Sequence, residues 1–84
     1  MHPYIKPLSK IFKANENVEE ALRSKAYLKG QFECFGIKTK IRRALINEFI
    51  IQYGLPDDNE LDAIAIDLIN QPQREFHYFA IELL

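Results

Sequence analysis

Lys38, Lys40, Arg42 and Arg43 crowd around Thr39 in the stretch FGIKTKIRRAL, residues 35–45. A threonine ahead of helix-forming residues is a natural N-cap, because its hydroxyl can accept from an amide of the next turn. The opening turn of a helix exposes backbone N–H groups and the positive end of the helix dipole. Cations gathered at that end would make an anion site. Arg43 and Asn47 are four residues apart and share a helical face. Arginine can hold a phosphate through two donors, and asparagine can add a third. Contacts of this kind position a nucleic acid without reading its sequence. The competing reading is a solvated helix face, with one arginine paired to Glu48 or to the C-terminal helices. Pattern alone leaves the two open.

Other chemistries find less support. The metal-ligating types are His2, His77 and Cys34, with no paired spacing. His77 stands beside Phe76 on an amphipathic stretch and reads as structural. Asp57, Asp58, Glu60, Asp62 and Asp67 fall at and after a helix start, where they complement the dipole and solvate the surface. No EF-hand loop, phosphate-binding glycine loop, dinucleotide fingerprint or serine-nucleophile elbow is present. No self-contained catalytic constellation and no cofactor motif emerges. The single cysteine, Cys34, excludes an internal disulfide and reads as a small buried hydrophobe.

The chain has 84 residues, enough for one domain with a modest core. Its 48% hydrophobic and 27% charged content is that of a globular protein, not a disordered one. No apolar run is long enough to span a bilayer, and the N-terminus lacks a secretory core, so no membrane role and a cytoplasmic location are expected. The net charge of −1 conceals a split. Residues 1–43 carry ten Lys/Arg against four acids, and residues 44–84 carry one Arg against eight. Such polarity suits a surface built to meet an anion at one end.

Helical periodicity dominates the elements that must position these residues. Tyr4, Ile5, Leu8, Ile11 and Phe12 set a first helix, in which Pro7 must occupy the first turn or bend the axis. Asn17 and Glu20 form a capping-box pattern. The second helix then runs to about Lys29 with Val18, Ala21, Leu22 and Ala26 inward, and Gly30 ends it in a left-handed conformation. Phe32, Phe35 and Ile37 pin a connection. A third helix runs from Lys40 to about Tyr53 with Ile41, Ala44, Leu45 and Phe49 facing the core and Ile46 and Ile50 as further candidates, and Gly54 stops it. Asp57 and Asp58 are expected to cap a fourth helix with the stripe Leu61, Ile64, Ala65, Leu68. Pro72 opens a fifth with the stripe Phe76, Phe79, Ala80, Leu83. No hairpin signal is present. The expectation is an all-α fold of about five helices in antiparallel pairs, the start of a HEAT-like α-solenoid. The apolar ending AIELL, with no cap, suggests a fragment of a longer chain and an exposed last-helix face able to self-associate.

The segments MHPYIKPL, AYLKGQFECFGIKTKIRRAL and QPQREFHYFAIELL together resemble the N-terminal part of bacterial DNA alkylation-repair glycosylases of the AlkD type. The match covers essentially the whole chain, and GIKT-x-x-RR followed by REF-x-YFA-x-x-LL is its specific part. The chain departs at Lys40, where relatives commonly carry proline. The resemblance implies a superhelix of HEAT-like repeats with a cationic concave face for double-stranded DNA. It also implies excision of N3- and N7-alkylated purines by hydrolysis of the N-glycosidic bond. A carboxylate and aromatic faces would stabilise the oxocarbenium sugar. By the same resemblance the catalytic aspartate and its tryptophans lie past Leu84, so no catalytic residue is assigned within the chain. Tyr27 would approach the lesion, and Thr39 and Arg43 would face phosphate, beside Lys38, Lys40, Arg42 and Asn47. The alternative is a non-enzymatic helical-repeat module that binds a protein or itself.

Overall fold

A computed structural model describes all 84 residues and contains five α-helices. They are α1 (Lys6–Ala14), α2 (Val18–Tyr27), α3 (Thr39–Tyr53), α4 (Leu61–Asn70) and α5 (Arg74–Leu83). The fold is all-α as expected; its only extended pairing is a single bridge between Glu33 and Gln73.

The two C-terminal stripes meet as their shared spacing demands. Ile64, Ala65 and Leu68 of α4 and Phe76, Phe79 and Ala80 of α5 are all buried. The link from Gln71 to Gln73 is too short for anything but an antiparallel pair, and these two helices pack together. α1 also packs on α3, and Leu8, Phe12, Ile46 and Phe49 of these two helices belong to the shared buried core. Phe12, Phe35 and Phe76 form a three-ring contact with centroids 5.4–5.8 Å apart that joins the two pairs. Phe49 meets Phe79 edge-on at 6.1 Å. Each fully buried ring contributes about 2–3 kcal/mol from area alone, so this aromatic centre is the main source of stability.

The leading segment ties both pairs. The His2 amide donates to Asp67 of α4 at 2.6 Å, and the Tyr4 hydroxyl donates to the Gly54 carbonyl at the end of α3 at 2.7 Å. Pro7 sits in the first turn of α1, where its missing N–H is harmless.

Ile41 and Ala44 of α3, expected inward, are exposed, and apart from the start of that helix four further details differ from expectation. The inward face assigned to α2 is largely exposed: Val18 is 66% and Leu22 64% accessible, and α2 buries no residue. The capping box is half formed. Asn17 accepts from the Glu20 amide at 3.1 Å, but the Glu20 carboxylate turns to Arg23 and the Asn17 amide donates to the Phe35 carbonyl. Third, the left-handed turn after α2 begins one residue early, at Lys29 (φ +57°), before Gly30 (φ +72°). Last, α4 begins at Leu61 with Glu60 at its N-cap, because Asp57–Glu60 form a separate turn closed by a 2.9 Å bond from the Glu60 amide to the Asp57 carbonyl.

What holds α2 is therefore the 33–37 connection. Gly36 has φ +86°, and a Cβ there would lie 2.0 Å from the Asn17 carbonyl oxygen and 2.6 Å from the Ala21 nitrogen. Only glycine permits this approach of two backbones. Lys25 and Glu33 add an exposed ion pair at 2.8 Å.

Candidate nucleic-acid interface

The same connection leads directly into the start of α3, and one buried side chain fixes it. Glu75, in the first turn of α5, is 4% exposed. Its carboxylate accepts from the amides of Phe35 (3.0 Å), Gly36 (3.2 Å) and Ile37 (3.3 Å). Three N–H donors compensate the burial of one charge, as a low-dielectric site requires. The backbone entering Lys38 is thus clamped from α5. Glu75 was not singled out from sequence.

Thr39 does not cap α3. It is the first helical residue; Lys38 occupies the N-cap position with extended backbone (ψ 151°), and no side chain accepts from the first-turn amides. Lysine has no acceptor to offer. The physical cause is the clamp, which keeps the chain extended through Lys38, so the helix opens one residue sooner than a threonine cap would allow. Its uncapped amides face outward beside exposed Lys38, Thr39 and Lys40.

Between α2, this helix start and α5 lies a groove of about 550 Å³. Four of the residues expected from sequence line it: Tyr27, Lys38, Thr39 and Arg42. Tyr27 is 87% exposed, so it is not a helix-end core aromatic but a free ring on the groove's lip. Arg43 and Asn47 do share a face, yet they line a separate shallow depression with Ile46 and Glu82. Lys40 is exposed and lines neither.

Arg42 is differently placed from its neighbours. It is 6% exposed, its Nη1 donates to Glu82 at 2.9 Å, and its guanidinium lies 4.7 Å from the Tyr78 ring centroid. The pairing of one arginine with the C-terminal helices is thus realised at Arg42. Its charge is answered inside the protein.

Arg23, Arg74 and Tyr78 also line the groove, and none of them was assigned a site role from sequence. Arg23 bonds Glu20 at 2.6 Å, and this bond holds the Glu20 carboxyl below the usual carboxylate range, with Lys38 adding to the effect. Arg74 lies between two rings, 4.4 Å from the Phe32 centroid and 5.0 Å from that of Tyr78. Its Nη1 approaches His77 Nδ1 at 3.4 Å, and His77 Nε2 lies 2.6 Å from the Gln71 carbonyl oxygen. A carbonyl only accepts and an arginine only donates, so Nε2 carries the ring hydrogen and Nδ1 receives from Arg74. His77 is structural, as expected. The buried Arg74 Nε has no hydrogen-bond partner. Leaving such a donor unserved costs about 1–3 kcal/mol. Burial, with the nearby Glu75 charge, pushes the Cys34 thiol up, which keeps it protonated and unreactive at neutral pH. No cluster of metal-ligating side chains occurs.

Fold and site together define an all-helical protein with a groove where cations and aromatic rings alternate. Comparison with protein families matches residues 8–84 to the DNA alkylation repair enzymes, and the chain belongs to that family. DNA is the partner that membership implies. Comparison with curated proteins found no match.

Proposed function

We propose that residues 1–84 form the N-terminal, DNA-backbone-binding wall of a HEAT-like DNA glycosylase that excises N3- and N7-alkylated purines. One observation carries the reading: in a chain of the DNA alkylation repair family, the uncapped start of α3 opens among Lys38, Thr39 and Lys40 beside a groove that holds the free ring of Tyr27. Helix-start amides and lysines suit phosphate oxygens, and an exposed tyrosine suits the sugar or base beside a lesion. Arg43 and Asn47 extend the contact along α3. Both carboxylates of the groove are committed, Glu20 to Arg23 and Glu75 to three amides. Neither is free to stabilise an oxocarbenium sugar, so this wall binds the substrate and leaves the chemistry to another part of the enzyme.

The test is a duplex-DNA titration at several salt concentrations. Affinity should fall steeply with salt, and Arg43→Ala should flatten the slope by about one unit. Release of 7-methylguanine by the 84-residue chain should stay at background; robust release would overturn the division of labour. A second reading draws on Ile81 and Leu84, exposed at the end of α5. On this reading the chain self-associates through that face as a protein-interaction module. Concentration-dependent sedimentation together with salt-insensitive or absent DNA binding would favour it.

A further inference from the structure

We infer that Arg74 is a phosphate seat inside the groove, distinct from the contacts along α3. The inference deepens the DNA reading above and rests on it for the source of the phosphate. Four of the groove's charged residues, Glu20, Arg23, Arg42 and Glu75, are answered within the protein. Arg23 bonds Glu20, Arg42 bonds Glu82, and Glu75 takes three amides. Arg74 has no carboxylate within ion-pair distance. Its guanidinium has one side-chain hydrogen-bond partner, Nδ1 of His77. The Phe32 and Tyr78 rings hold the guanidinium on the groove wall without taking any of its hydrogen bonds. A cation fixed by ring faces and one edge contact keeps other in-plane donors for a ligand. Its Nε is unpaired but closed off from solvent, so the donors a groove ligand meets are those of Nη1 and Nη2. The ligand chemistry that satisfies a planar guanidinium with two parallel bonds is a phosphate oxyanion. Lys38, on the same groove and also without a carboxylate at ion-pair distance, supplies a second charge.

Two titrations of the 84-residue chain test this. The first adds inorganic phosphate, with chloride at matched ionic strength as control, and follows the arginine Nε–H resonances by NMR, the Arg74 signal being assigned by its loss in Arg74→Lys. A saturable shift of the Arg74 Nε–H with phosphate and not with chloride is expected. An unmoved Arg74 signal while Arg23 or Arg43 responds overturns the assignment. The second uses duplex DNA. Arg74→Gln should weaken binding on the order of tenfold at low salt and reduce the salt slope by about one, while Arg74→Lys keeps the slope. If Arg74→Gln keeps the wild-type slope, the seat is lost and the DNA reading survives. If the unmodified chain ignores DNA at low salt but phosphate still shifts Arg74, the seat stands and the DNA reading fails. Should Arg74→Gln unfold by circular dichroism, the phosphate titration on the unmodified chain decides.

Discussion

Arg42 lies four residues before Ile46 and seven before Phe49, so it falls on the buried stripe of α3. Arg43 is turned by about 100° onto the exposed side. The two arginines should therefore separate experimentally. Arg42→Ala removes the partner of Glu82 and a stacked guanidinium, and is expected to cost about 1–2 kcal/mol in urea unfolding. The figure is held down because Glu82 is partly exposed and can rehydrate. Arg43→Ala should leave stability within about 0.5 kcal/mol and act on DNA affinity instead. Equal destabilisation by both would contradict the placement. The phase was only partly legible in the residues: Phe49, with Ile46 as a further candidate, marks the core side. Ile41 and Ala44 offered a competing apolar phase, and both prove exposed. What no local pattern carries is the tertiary event that admits an arginine to the stripe: Glu82 and Tyr78 arrive from α5, about forty residues later in the chain.

At the scale of elements, α2 is the informative one. Its apolar residues follow helical spacing, which is why Val18 and Leu22 read as core, yet no helix packs over them. A periodic stripe shows that a face is apolar and not that a partner is present. The stripes of α4 and α5 were legible because both are complete and face each other across a short link. With no buried residue, α2 should open locally at lower free energy than α3 or α5 and exchange its amide hydrogens first. Gly36→Ala should exaggerate this. The new Cβ collides with the Asn17 carbonyl and the backbone must also keep φ +86°, a combined cost of roughly 3 kcal/mol or more. Loss of protection in α2 with α4 and α5 unchanged is the expected exchange pattern; uniform loss would show that the α2 contact is not separable. Acid should loosen the same helix. The Arg23 bond places the folded Glu20 pKa below its unfolded value. Its stabilisation is therefore complete above the unfolded value and is lost as pH falls through the folded one. Arg23→Ala should remove that part of the acid sensitivity of α2.

Across the whole molecule, α3 separates a cationic end from an acidic one, although Glu75 and Glu82 of the acidic half stand on the cationic side. The fifteen residues of α3 span about 22 Å. Its start lies at the cationic groove, and its end, stopped by Gly54, leads within three residues to Asp57 and Asp58. The helix dipole points the same way, positive toward the cations and negative toward the acids. For an approaching polyanion, the acidic turn acts only through the long-range field, because it lies well over a Debye length of about 8 Å from the α3 start at physiological salt. Phosphate contacts at the groove act at short range and persist. Replacing Asp57 and Asp58 together by asparagine should therefore strengthen duplex binding about twofold to threefold at low salt and leave it unchanged near ~0.15 M, with the slope shifted only slightly. Arg43→Ala should weaken binding under both conditions. A double asparagine variant that gained equally at both salts would mean that DNA reaches the acidic end of the molecule. The interface would then run along the full length of α3 instead of stopping near Asn47.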